Sequence, residues 1–429
     1  MERRDSVVAP LTTAIVTDGA EFERLAPEWD HLLEHSDQQV YFLRWHWNWS
    51  WWQRLAPRGS RLHLVTCRDG SGRLVGIAPL YELPRRVFGM SWGRDLAMLG
   101  TGIELKTAEY MDAFVWRSAE AEVGEALARA MSASSSWDRA TFIRVPDDSA
   151  VMRVIVESFG GEVTSQAFDS APFIDTRGSW SDYKLSLGRS MRRNAEYYAR
   201  RLARTRELRF ALAESEADFA SGFDHLVRLH QSRWQAADEP GTFGSPVVRD
   251  FFKDVMRRSH ADGRLRLWTL AVDGTVEAAL VGFVDNGTCH YFQKGFNPEY
   301  AKDGLGTVVL SLSLRACFDD AAITTFDFMG GGAEYKTLWA RQERATMLHE
   351  VSRPTVAEQS YRWYLNSRAA AVKLYRTIAP TPIRALRRAW LRKRRDGKSS
   401  GGTLNALASL GLLSEPVLDV ALALLTTLN

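Results

Sequence analysis

Cysteine is scarce: Cys67, Cys289 and Cys317 are the three the chain has. They lie far apart in sequence, at no metal-ligand spacing and in apolar surroundings. This excludes a disulfide framework or a cysteine zinc site and fits a reduced cytoplasmic compartment. The nine histidines never fall beside Cys, Asp or Glu at a convincing ligand spacing, so no metal is expected. Net charge is small too, +3 at neutral pH, and no global field argues for DNA. Long apolar runs are also missing. Pro10, Thr12, Thr13 and Asp18 break up "MERRDSVVAPLTTAIVTDG", leaving no signal-peptide core. "VLDVALALLTTL" is too short to cross a bilayer, and Glu415, Pro416 and Asp419 interrupt the longer stretch around it.

Tryptophan, by contrast, is abundant, fifteen in 429 residues. Trp45, Trp47, Trp49, Trp51 and Trp52, interleaved with Leu43 and Leu55, read as a helix face packed into a core. With 45% hydrophobic and 25% charged residues, the chain is globular and long enough for two or three domains. Positive charge gathers in one place: between Pro354 and Lys398 stand twelve Lys or Arg against Glu358 and Asp396.

A repeat organises the rest. "RLHLVTCRDGSGRLVGIAPLYE", from Arg61, has a counterpart in "RLRLWTLAVDGTVEAALVGFVD", from Arg264, and both read as β-hairpins around an Asp-Gly turn. Two helical patterns precede each: "AEFERLAPEWDHLLEH" and "WHWNWSWWQRL", then "EADFASGFDHLVRLHQSRWQ" and "PVVRDFFKDVMRRSHADG". An extended stretch ("AEYMDAFVW", "CHYFQKGFN"), a helix and a strand ("DRATFIRV", "ITTFDFMGG") follow each. The expected fold class is α/β: two related domains, each a mixed sheet flanked by helices. Between them "SLGRSMRRNAEYYARRLART" predicts a basic helix whose Arg192 and Arg193 face either solvent or an anion.

The second copy alone carries a glycine pair, in "GFNPEYAKDGLGTVVL". Gly304 and Gly306 either permit a tight turn or let N–H groups converge on a phosphate at a helix start. Their restriction to one copy favours the phosphate.

In this order and spacing, the residues resemble the GNAT acyltransferases. "HLVRLHQSRW", the glycine loop and "FDFMGGGAEYKTLWA" are more specifically similar to the acetyltransferase family named for the cellulose-biosynthesis protein CelD. That family is a double GNAT fold related to the FemAB peptidyltransferases. The resemblance spans Phe22 to Ala340 and implies transfer from acetyl-CoA or another acyl-CoA to a cell-envelope or exopolysaccharide intermediate. On this reading Lys302, Gly304, Leu305, Gly306 and Thr307 hold the pyrophosphate. A splayed strand from Phe292 to Gly295 reaches the thioester. The base is His230, Asp327 or Glu334, the first on a helical pattern with Arg233 and Trp234, the last beside Lys336 after three glycines. Tyr335 is the acid for the departing thiolate.

The expected domains are 10–177 and 178–350, both GNAT-like, a basic amphipathic helical tail over 354–395, a linker over 396–402 and an apolar helical segment over 403–429. The tail suits an anionic membrane surface, the acidic remainder of the chain or solvent equally. Cytoplasmic localisation is expected, with peripheral attachment at the inner face of the plasma membrane if the tail meets lipid. Besides the acyltransferase, a FemAB-like enzyme using charged tRNA and a non-catalytic membrane-associated module stay open.

Overall fold

The computed structural model describes residues 7, 9–87, 90–102, 108–236, 239 and 241–378. The expected linker 396–402, the segment 403–429 and the tail beyond residue 378 lie outside the described residues.

The first half runs β1 (Thr12–Val16), α1 (Gly19–Arg24), α2 (Ala26–Glu34), α3 (Trp45–Leu55), β2 (Arg61–Leu62), β3 (Leu64–Arg68), β4 (Leu74–Ala78), β5 (Leu80–Val87), β6 (Met90–Met98), β7 (Phe114–Val115), α4 (Glu120–Ala133), β8 (Arg139–Pro146), α5 (Ala150–Glu157) and β9 (Glu162–Asp175). The second runs α6 (Trp180–Ser186), α7 (Arg189–Leu202), β10 (Leu208–Leu212), α8 (Glu216–Ala236), α9 (Pro246–Ala261), β11 (Leu265–Val272), β12 (Thr275–Asp285), β13 (Thr288–Phe296), α10 (Leu305–Asp319), β14 (Thr325–Asp327), α11 (Glu334–Trp339), β15 (Gln342–Ser352) and α12 (Val356–Ile378).

Both expected hairpins form. Asp273 and Gly274, at φ 49° and 82°, make the two-residue turn between β11 and β12, whose positive φ values suit Asp-Gly. The β3–β4 turn is longer, and Asp69 Oδ1 ties it by accepting the N–H groups of Ser71 and Arg73. The first hairpin lies in a four-stranded sheet of order β1-β3-β4-β7, the second in an eleven-stranded sheet of order β10-β11-β12-β13-β14-β9-β15-β8-β6-β5-β2. The copies differ downstream. β5 and β6 are inserted in the first, β7 shrinks to two residues, and β8 pairs in parallel with β6. β9 and β15 are too polar in sequence to carry a clear strand signal. They pair with each other along their whole facing length, and antiparallel ladders tolerate a solvated face.

The residues divide into two compact units, Met1–Pro84 with Arg94–Arg353, and Arg85–Gly93 with Pro354–Asn429. Within the first, the halves share one core. Trp47 and Trp51 on α3 are fully buried, as their four-residue spacing predicts, and Trp47 packs on Phe251 and Phe283 of the second half at 5.3 and 5.4 Å. Arg44 donates to Asp285 at 2.5 and 3.0 Å, and Arg264 adds a third bond at 2.7 Å. A second core lies among α7, α10 and the sheet around Leu280, Leu310 and Phe326. In the second unit Arg85 donates to the buried Glu358 at 2.8 Å and lies 4.3 Å over the ring of Tyr361.

Candidate functional site

β13 and β14 run parallel for three residues, Thr288↔Thr325 to His290↔Asp327, and no further. β13 continues to Phe296 on its other partner, β12, with a register shift that leaves Phe292 without a residue opposite. A bulge bends its strand and disrupts the ladder locally. Among the described residues, the edge of β13 facing away from β12 has no strand partner beyond His290.

From this edge the chain turns through Pro298–Asp303 into α10. Asn297 caps the turn by accepting the N–H of Glu299 at 3.1 Å, and Gly304 sits in the left-handed region at φ 70°. Here the glycines have a packing reason. A Cβ on Gly304 would stand 2.6 Å from Tyr198 of α7, and one on Gly306 would stand 2.9 Å from the ring of Phe296. Gly295 lies against the backbone of Leu229 and His230. Not every N–H of the loop is available: Gly304 donates to Ala301 at 3.1 Å, and Thr307 and Val308 donate to Gly304 at 2.8 and 3.0 Å. Leu305 and Gly306 keep the N–H groups that a helix start leaves unpaired. Lys302 is exposed.

Two cations stand at this helix start. Lys294 of β13 donates to the carbonyl of Gly306 at 3.1 Å and lies 4.9 Å over the ring of Tyr335. Burial, helped by the charge of Arg233, pushes its ammonium down to about 7. Arg233 of α8 lies over Trp234 and Phe296 at 5.5 and 5.9 Å. Among the described residues neither Lys294 nor Arg233 has a carboxylate partner. Cations are disfavoured at the positive end of a helix dipole, so this pair calls for an anion. Across the opening the hydroxyls of Tyr291 and Tyr335 meet at 3.1 Å, and burial raises both pKa values, keeping both protonated near neutrality.

The structure separates the expected catalytic residues. His230 is buried, its Nε2 accepts the indole N–H of Trp234 at 2.9 Å, and its Nδ1 meets Gln231 at 3.2 Å. Burial lowers its pKa to about 4. In this arrangement the neutral imidazole has both nitrogens engaged by neighbouring side chains. Asp327 is fully buried and fully engaged: it accepts from Tyr110 at 2.8 Å, Arg344 at 2.9 Å and the Met329 N–H at 2.6 Å. Lys336 is buried and fastens the glycine turn by donating to Met329 and Gly330 at 3.0 and 2.8 Å. Glu334 is exposed at the first position of α11. Arg192 donates to the carbonyl of Leu187 at 3.2 Å, and Arg193 is exposed on the same helix. Of the expected residues, Arg233, Trp234, Tyr335 and Gly306 come together. Lys294 and Tyr291 were not read from the sequence, where the one signal was a lysine inside the aromatic strand "YFQKGF".

Residues 189–337 match the model of a family described as Acetyltransferase (GNAT) domain. Among solved structures, the chain is similar to FemX (10% identity, TM-score 0.52, covering 80% of this chain and 97% of that one). It is also similar to a conserved protein of unknown function from Bacteroides thetaiotaomicron VPI-5482 (9% identity, TM-score 0.50, covering 79% and 100%). No curated protein matches it. The chain therefore has a GNAT-like mixed α/β fold, and the part matching an acetyltransferase domain is the part that holds Lys294 and the α10 start.

Proposed function

We propose that the chain is an acyltransferase of the GNAT type that takes its acyl group from acetyl-CoA or a longer acyl-CoA. The observation that carries this reading is the pair of cations without carboxylates, Arg233 and Lys294, at the N-terminal end of α10, beside a strand edge with no strand partner past His290 among the described residues. The N–H groups of Leu305 and Gly306, with both cations, would hold the pyrophosphate. The unpaired edge of β13 would take the thioester carbonyl and the pantetheine arm. As the acceptor attacks the carbonyl carbon and the C–S bond breaks, the thiolate takes a proton from Tyr335, whose hydroxyl Tyr291 orients, and the proton that the acceptor sheds on forming the acyl bond returns Tyr335 to its phenol form.

The finer reading, membership of the family named for CelD with an envelope or exopolysaccharide acceptor, rests on the sequence resemblance. Peripheral attachment to an anionic membrane through 354–395 is supported by that segment's charge and by Trp363, which is 72% exposed on α12. A second reading, an aminoacyl group carried on tRNA, is favoured by the exposed arginines of α7 and predicts binding that weakens steeply with salt.

Calorimetric titration with acetyl-CoA and longer acyl-CoAs tests the leading reading, wild type beside Arg233→Gln and Lys294→Met. Each variant should bind about tenfold more weakly, the order expected for one lost charged hydrogen bond. Failure of folded wild type to bind any acyl-CoA would sink the proposal, and tRNA would be titrated next.

A further inference from the structure

A cavity of about 440 Å³ is lined by both halves of the first unit. Its walls come from the loop after α2, the segment around Tyr110 and Asp112, the turn from β8 into α5, the start of β13 and Arg344 of β15. Three of its lining side chains carry a buried polar atom with no hydrogen-bond partner among the described residues: Oδ1 of Asp112, Nδ1 of His290 and Oε1 of Gln38. Asp112 and His290 are only 2% and 3% exposed. A buried polar atom without a partner is costly, and three around one cavity call for an occupant that supplies hydrogen bonds.

The charge of the lining gives the occupant's sign. Arg344, its one arginine, is already committed to Asp327 at 2.9 Å. Among the acids, Asp37 is paired with Arg117 at 2.6 Å, and Glu120 accepts the N–H of Ser118 at 3.2 Å. Asp112 is left, with Asp147 and Asp148 exposed beside it and unmatched by any cation among the described residues. Burial pushes the Asp112 carboxyl well above the usual range against the lowering effect of hydrogen bonds from Ser149 and the Ala113 N–H, and Asp148 adds a little to the rise. A cation beside it would favour its charged form.

We propose that this cavity is a second ligand site, for a small molecule bearing a primary ammonium group, with Asp112 as its counter-ion and Gln38 Oε1 as a further acceptor. The volume suits a compact organic ligand. His290 and Tyr110 tie the cavity to Asp327, the last residue of β14 paired with β13. An occupied cavity thus abuts the point where the two strands part.

The test is calorimetry on the full chain with two matched pairs, glucosamine against N-acetylglucosamine and ethanolamine against ethylene glycol. The charged member of at least one pair should bind and its neutral counterpart should not. Asp112→Asn, isosteric with the protonated acid, should weaken that binding by about tenfold or more while acyl-CoA titration stays as in wild type. Equal binding of charged and neutral members, no binding of either amine, or a folded Asp112→Asn with undiminished affinity would each overturn the proposal. If Asp112→Asn does not fold, Asp148→Asn at the exposed side decides: severalfold weakening supports the site and unchanged affinity overturns it. Acyl-CoA binding is read separately, so the transferase reading stands or falls on its own.

Discussion

Lys294 is the residue whose charge a titration can follow. Its ammonium has an ordinary value of 10.5 and is pushed down to about 7 by burial and by Arg233, so it is charged below that pH and neutral above it. A bound phosphate favours the charged form. Acyl-CoA affinity is therefore expected to fall as pH rises above about 7, by up to about tenfold per pH unit at steepest. Lys294→Arg, charged throughout, should flatten the profile, and a wild-type affinity flat between about pH 7 and 9 would remove Lys294 from the anion site. The same depression acts on folding. Between about 7 and 10.5 the unfolded lysine holds a proton the folded one has lost, so its contribution to stability rises with pH across that window. A lysine in a strand reads from sequence as a solvated side chain, and only the return of α8 over β13 half-buries it beside Arg233.

The start of α10 shows how one loop admits two explanations. Gly304 was a phosphate-loop candidate because the other copy of the repeat has no such glycine. The tertiary reason is Tyr198: α7 packs over α10, Ser311 donates to the Ala195 carbonyl at 2.5 Å, and Arg201 holds Asp303 at 2.8 Å. Gly304→Ala should cost about 1–3 kcal/mol by urea denaturation, from the positive φ and the collision with Tyr198 together. Adding Tyr198→Ala should remove the collision and leave the backbone share, about 1–2 kcal/mol. If instead Gly304→Ala is as stable as wild type but loses acyl-CoA binding, the glycine serves the ligand and the packing account fails.

For the first unit as a whole, the repeat suggested two related domains, and its halves are joined through sheet, core and buried charge. β15 pairs with β8 of the first half and with β9, which in turn pairs with β14. Asp285 neutralises Arg44, whose side chain is 7% exposed, and Arg264. Asp285→Asn leaves two cations facing an amide and should cost about 3–5 kcal/mol, the penalty of a broken buried pair. Because that pair joins the halves, hydrogen exchange should show peptides from β3–β4 and β11–β12 losing protection together. Loss confined to the second half would mean that the halves fold independently.

Much of this was legible in local pattern. Helices with a strong apolar period, the tryptophan face of α3, the Asp-Gly hairpins and the order of elements that resembles GNAT enzymes all depend on residues near one another in sequence. Spacing and turn chemistry act over that range. The tertiary structure alone decided which polar residues meet. It engaged both nitrogens of His230, enclosed Asp327 between Tyr110 and Arg344, and brought Lys294, Arg233 and Tyr335 to one helix start. Burial and charge partners depend on which distant segments pack together, and they determine whether a histidine, a carboxylate or a lysine is free to act.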